Sequence, residues 1–411
     1  MVTQYDVFEV VYKNKVPVKP IEVVRKLNKT ENEYNNIHRF LVELEKNNFL
    51  TKTKYGFQIK ASSKADLLYN FIYYCLSNNI NYNLLLDKNL AKFISQSLIK
   101  EEIISKDVKI NPRTFTKYIN ILNKHGMLLI ISKKPLKIRI FYNYLLKNLL
   151  LYFDFKPLIK EKTSLDYINR IEKEIILYKR LRRKNEQGFK KIVDENEISF
   201  IHHSLTLEGN PITLPDTIKI LKDNVIPKNL STEDVDEIKN YQMAILQMLS
   251  DSFQKKPLTL QTILNYHNMA MQHNSKIAGK IRKVEVTIVG NSNFKVAKAK
   301  DIEQRLNQLL DEYNKFIKKK SNLMEIINFA AFFHNEFQYI HPFVDGNSRI
   351  TRLITFHLLQ FKDIPIIDIP LGLLDEYLGY TKGYKHRNDE RLSENLQEII
   401  LFNLKKINDK L

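Results

Sequence analysis

The sequence is short of the residues that build disulfides, turns and membrane spans. One cysteine in 411 residues, Cys75, excludes an intramolecular disulfide. It sits in the apolar-rich run Leu67 to Leu76, where a buried structural thiol is expected, consistent with a reducing compartment. Ten glycines and twelve prolines are few for this length, and no stretch has the biased composition of a disordered tail. The longest apolar tract, Phe141 to Phe155, is broken by Asn143, Lys147, Asn148 and Asp154, so no membrane partner is expected. Asp6 and Glu9 near the start, with no basic segment before an apolar core, do not resemble a signal peptide. The chain therefore reads as cytoplasmic. Acidic residues are also scarce: 65 Lys and Arg face 46 Asp and Glu.

What is present points to helices. Leu, Ile, Lys and Asn dominate, and the length suits two or three domains. The basic excess is uneven. Residues 1–150 hold 25 Lys and Arg against 12 Asp and Glu, leaving 40 against 34 for 151–411. That bias predicts a polyanionic partner for the N-terminal part.

Residues 1–60 predict helix, helix and a short hairpin. Ile37, Phe40, Leu41 and Leu44 have helical spacing, and the hairpin Phe49 to Ile59 turns at Tyr55-Gly56. That order suggests a winged helix. It recurs in a second domain, 61–150. Helical spacing is read over Ile94 to Ile104, and a new helix starts at Asn111-Pro112 and stops at His125-Gly126. Strands at 127–132 and 136–140 then flank Lys133-Lys134-Pro135. Arg113, Thr116, Lys117 and Asn120 lie on the polar side of that helix and suit phosphates and base edges, making DNA a candidate partner. A winged helix that binds protein or only packs on another domain is the alternative. Residues 151–189 read as a connecting helix, whose basic run 179–184 is most simply a solvated face.

From 190 to 411 a helical array is expected, with helices near 198–208, 212–222, 231–250, 258–273, 300–318, 321–338, 348–361 and 390–408. Val284, Glu285, Val286, Thr287 and Ile288 open a β-branched alternating run, a hairpin signal alone among helices. The fold class is thus mainly α with a small β-hairpin, preceded by α+β winged helices.

The densest chemistry lies at 341–352. Pro342 forces His341 out of the helical region. Asp345-Gly346-Asn347 is a turn, and a helix begins near Ser348. Arg349 and Arg352 share one side of its first turn, where two cations oppose the helix dipole. An anion in the nest of backbone N–H groups at Gly346 to Arg349 resolves that conflict. Asp345 is suited to Mg²⁺ bridging phosphate oxygens, and His341 to general-base work. Together these residues describe phosphoryl or nucleotidyl transfer to a hydroxyl.

The segment His341 to Arg352 resembles the signature of the Fic family, His-Pro-Phe-x-Asp/Glu-Gly-Asn-Gly/Lys-Arg-x-x-Arg. Every defined position matches except Ser348, whose Cβ and hydroxyl enter the phosphate nest. The resemblance extends over about 190–405, including His334 and the run Ala278 to Arg282. It implies AMP transfer from ATP, with Mg²⁺, to Ser, Thr or Tyr of a protein. His341 would deprotonate that hydroxyl and Asp345 would hold Mg²⁺. Gly346, Asn347 and Arg349 would position the α and β phosphates, and Arg352 would meet the γ-phosphate. The run at 284–288 resembles the flap that registers the target's backbone. Upstream, Ser204, Glu208 and Gly209 resemble the family's inhibitory motif, Ser/Thr-x-x-x-Glu-Gly/Asn, which implies that Glu208 pairs with Arg352 and misaligns ATP. In some members the same glutamate aligns water to remove AMP. Release by a partner, dissociation of a homodimer and self-modification all stay open. So does a DNA-binding regulator whose Fic domain senses nucleotide without turnover.

Overall fold

A computed structural model describes residues 2–108, 110–156, 166–228, 230–287, 295–381 and 388–411. The chain divides into two compact units, one of Met1–Lys124 with Ile131–Lys160 and the other of His125–Ile130 with Glu161–Leu411.

The first unit opens with a helix the sequence reading did not separate, α1 (Gln4–Lys13), fixed by a capping box between Thr3 and Asp6. The two expected helices follow as α2 (Pro20–Lys26) and α3 (Tyr34–Lys46), with Ile37, Leu41 and Leu44 buried. Strands β1 (Leu50–Thr53) and β2 (Gly56–Ile59) then pair antiparallel, Leu50 opposite Ile59. Gly56 has φ 137°, and an added Cβ would stand 2.4 Å from the Val18 carbonyl oxygen, so only glycine fits where β2 meets Val18. Helix α4 (Ser63–Ser77) buries Cys75.

Helix α5 (Lys88–Ser97) ends earlier than the spacing through Ile104 suggests. Ile103–Ile104 is instead a short strand, β3, paired with Ile138 and Lys137. A short apolar run is ambiguous between helix and strand, and pairing settles it. Then come α6 (Pro112–Lys124), β4 (Leu128–Lys133) and β5 (Leu136–Ile140), in sheet order β3-β5-β4. Gly126 follows α6 with φ 66°, the left-handed stop its position implied. Helix α7 (Tyr144–Tyr152) packs on α4 and α5.

In the second unit, α8 (Ile168–Lys184) precedes α9 (Glu186–Thr206), so the region 151–189 is not one helix among its described residues. Helix α9 begins twelve residues before the expected 198. Its early turns bury Phe189, Ile192, Val193, Asn196 and Glu197 and expose Glu186, Gln187, Lys190, Lys191, Asp194 and Glu195, so polar Asn196 and Glu197 break the apolar stripe before the expected start. Next are α10 (Leu214–Ile218), continued by a π-helical turn, α11 (Thr232–Phe253), α12 (Leu260–Ala270) and α13 (Ile302–Lys318). The unit closes with α14 (Leu323–Ile340), α15 (Asn347–Phe361), the unanticipated α16 (Leu374–Thr381) and α17 (Asp389–Lys410). Helix α15 packs on α14 and α11, and α17 backs α14 and α8. Val284–Thr287 form no strand, and Ile288 and the rest of the expected hairpin lie outside the described residues. Among the described residues, no helix is long and apolar enough to cross a membrane.

Candidate active site

The turn from α14 into α15 is built by unusual backbone. His341 caps α14 at φ 49°, ψ 60°, with its N–H bonded to the Phe337 carbonyl at 3.0 Å. A non-glycine residue in the left-handed region is worth explaining functionally. Gly346 starts α15 at φ 80°. A Cβ there would press on Met271 Sδ at 3.0 Å and His267 Cδ2 at 3.4 Å. The Asn347 amide closes the loop reciprocally, accepting from the Phe343 N–H and donating to the Phe343 carbonyl, both at 2.9 Å. Its side chain therefore spans the loop, and the first N–H groups of α15 are what the turn offers an anion.

His341 is buried, and burial pushes its imidazole down to about 4, with the Arg282 guanidinium acting the same way and the Gln338 carbonyl opposing both. Its Nδ1 lies 3.3 Å from that carbonyl, which can only accept, so Nδ1 carries the proton and Nε2 is the basic nitrogen.

Both arginines are buried. Arg352 is 1% exposed; its Nε donates to Ser204 Oγ at 2.6 Å, and one terminal nitrogen donates to the Ser204 carbonyl at 2.9 Å and Glu208 Oε1 at 2.7 Å. Burial works against its charge, but the Glu208 carboxylate and the oxygens of Tyr241 and Tyr377 more than offset this and raise its pKa. Ser204 Oγ also meets the Tyr241 hydroxyl at 2.8 Å. Gly209 follows α9 at φ 88°. Arg349 bonds Asp345 Oδ2 at 3.2 Å and forms an ion pair with Glu237. The Asp345 side chain is 64% exposed and also accepts from the Gly346 N–H at 2.6 Å. Ser348 is half-buried on the first turn of α15.

Three further residues organise the site. Glu237 on α11 binds Arg349 with one oxygen and Asn210 at 2.5 Å with the other. Arg282, 2% exposed, bonds the carbonyls of His341 and Val284 at 2.8 Å and of Ala297 at 2.5 Å. Its own N–H reaches the Pro342 carbonyl at 2.9 Å, so it ties the segment bearing Val284, Glu285, Val286 and Thr287 to the His341 turn. His267 on α12 accepts the Gly279 N–H at Nδ1 (2.9 Å), which leaves Nε2–H to donate to the Asp345 carbonyl at 3.0 Å. Its ring stacks on Phe343 at 3.7 Å between centroids. Burial pushes His267 down to about 4, keeping it neutral for both contacts. Glu237 and His267 carry no local sequence signal, each being one residue in a separate helix, whereas Arg282 ends the run Ala278 to Arg282 that the family resemblance includes. Arg113, Thr116, Lys117 and Asn120 lie in the first unit, all exposed on α6.

A turn with an imidazole, an accessible carboxylate and two buried guanidiniums has the donors and charge that suit a phosphate ester. Residues 257–359 match the model of the Fic/DOC family, and the chain carries a Fic domain. Across 183 residues it is 29% identical to the protein adenylyltransferase Fic of Drosophila grimshawi, covering 44% of this chain and 37% of that protein. The corresponding protein of Drosophila mojavensis is 30% identical over 183 residues, 44% of this chain and 35% of that one. The chain thus spans little more than a third of the length of these curated relatives. A Fic-domain signalling protein from Bacteroides thetaiotaomicron shares the fold with a TM-score of 0.53 at 22% identity, over 58% of this chain and 97% of that one.

Proposed function

We propose that this protein is a protein adenylyltransferase that restrains itself through Glu208. The contact of Glu208 with Arg352 at 2.7 Å, beside the turn that carries His341, is the observation on which this rests. A carboxylate on that guanidinium occupies the group suited to the terminal phosphate of ATP, and the pair is too buried for solvent to weaken it freely.

When Glu208 withdraws, the N–H groups at the start of α15 and the two arginines receive the triphosphate. The target hydroxyl attacks the α-phosphorus. His341 Nε2 takes the hydroxyl proton as the new O–P bond forms, the bond to the β-phosphate oxygen breaks, and pyrophosphate leaves. A neutral imidazole is required, and burial provides one. Mg²⁺ would neutralise phosphate charge. Asp345 would hold it, since such ions need only one or two carboxylates plus phosphate oxygens, and its carboxylate is accessible. The segment from Val284, fixed by Arg282, would dock the target's backbone. With AMP already on a target, Glu208 could instead align water for its removal.

The test is label transfer from ATP carrying a radioactive α-phosphate, with Mg²⁺ and a cell lysate. Glu208→Gly should label protein far more than wild type, and Glu208→Gly/His341→Ala should abolish the signal. Equal labelling by wild type and Glu208→Gly would refute self-restraint, and no labelling by any variant would refute the transferase reading.

A second reading, a DNA-binding regulator whose Fic domain senses nucleotide, is favoured by one observation. Arg113, Thr116, Lys117 and Asn120 present a continuous exposed polar face on α6. The two readings are compatible in one chain.

A further inference from the structure

The basic run on α8 lines a cavity. About 460 Å³ of space opens where α8, the first half of α9, the end of α11 and the chain after α15 converge, a size usual for small-molecule sites. Gln360 lines it, thirteen residues along α15 from Asn347. At the helical rise that is roughly 20 Å from the phosphate nest, so the two are separate places.

Its walls combine rings and cations. Tyr178 and Phe189 meet edge-on at 5.6 Å, and Phe253 lies 6.2 Å from Phe189. The Arg182 guanidinium sits 4.7 Å from the Phe189 centroid and 5.3 Å from that of Phe253, and donates to the Tyr178 hydroxyl at 3.0 Å. Lys179 and Arg183, one turn apart on the same face of α8, line the rim and are exposed. Lys255 is already neutralised by Asp363 at 2.6 Å and caps the Phe361 carbonyl at 2.6 Å. That leaves Lys179, Arg182 and Arg183 against one lining carboxylate, Glu186. Cations gathered on one wall repel, and an anion relieves them; flat rings and a stacked guanidinium favour a π-face.

We propose that this cavity is a second ligand site, specific for a nucleotide-sized aromatic phosphate, with the ring against Phe189 and Phe253 and the phosphate on Lys179, Arg182 and Arg183. Binding there requires no chemistry at His341 and does not depend on the transferase reading.

Calorimetric titration with AMP tests it. Lys179→Glu/Arg183→Glu changes exposed positions only and should leave the melting temperature unchanged. It should weaken one component of AMP binding by roughly tenfold or more. A component insensitive to these changes reports the nest at Gly346 to Arg349. Arg182→Ala, checked first for folding, should abolish the same sensitive component. Adenosine and inorganic phosphate should each bind there much more weakly than AMP. Identical AMP titrations for wild type and the double variant would overturn the proposal. Adenosine or inorganic phosphate binding as tightly as AMP would overturn it too.

Discussion

Helices α6 and α15 both open with basic residues one turn apart, yet their cations meet opposite fates. Arg113 and Lys117 on α6 lie in solvent, whereas Arg349 and Arg352 on α15 are 2% and 1% exposed. A guanidinium removed from water must be matched by acceptors, and α15 has them in Glu237, Asp345, Ser204 and Glu208. The lesson is that buried cations declare a built site, because α11, the turn after α9 and the turn before α15 each had to supply a carboxylate for them. Exposed cations declare only a charge, which any polyanion could use.

The comparison breaks first if the α15 arginines prove dispensable to the fold. Arg352→Ala leaves Glu208 partly buried without its partner and removes two bonds to Ser204. Breaking such a pair costs about 3–5 kcal/mol. Urea unfolding should show a loss of that size, and a change below 1 kcal/mol would mean that the pair is not part of the folded state.

The next effect comes from His267, which supports the turn without belonging to the motif. Losing its bond to the Asp345 carbonyl and its stack on Phe343 should let the turn drift, lowering transfer by Glu208→Gly about 10- to 100-fold in His267→Ala. The reading is relative to Glu208→Gly alone. The same residue sharpens the pH dependence of stability. Burial holds His267 and His341 at about 4 in the folded protein, below the usual 6.5 of the unfolded chain. Above 6.5 both states are neutral and the stability is intact. As pH falls from about 6.5 to about 4, unfolding takes up one proton at each, and stability drops by about 1.4 kcal/mol per pH unit per histidine. Thermal melts of His267→Gln should lose one such increment of slope, and an unchanged slope would show that His267 is not buried neutral.

The same contrast explains what the sequence made legible. His341 to Arg352 is contiguous, and each residue type restricts the chemistry, so the turn could be read with its partner Glu208 from a second short pattern. Glu237 and His267 could not be read, because a glutamate on α11 and a histidine on α12 look like ordinary helix residues until the fold brings them to Arg349 and Asp345. Arg282 was visible in its run, but its bonds to three carbonyls are a tertiary fact. Among the elements, α3, α6 and α14 announced themselves by stripes and caps. The first half of α9 did not, because its buried stripe of Phe189, Ile192, Val193, Asn196 and Glu197 ends in two polar residues, which interrupt the apolar spacing. Ile103–Ile104 continued a helical apolar pattern yet became a strand once β5 offered it backbone partners.

The smallest effect lies on α6. Arg113→Ala and Lys117→Ala should change stability by no more than about 0.5 kcal/mol, since exposed side chains away from special contacts seldom matter more. Their effect should appear in DNA binding instead. If α6 meets phosphates, each substitution weakens binding about equally across sequences and lowers the slope of log K against log salt by about one. If wild type shows no steep salt slope in a gel shift, the excess of 25 cations over 12 carboxylates in residues 1–150 has no nucleic-acid partner to serve. The exposed face of α6 would then belong to a protein contact, where salt acts weakly and the same substitutions change affinity for one partner only.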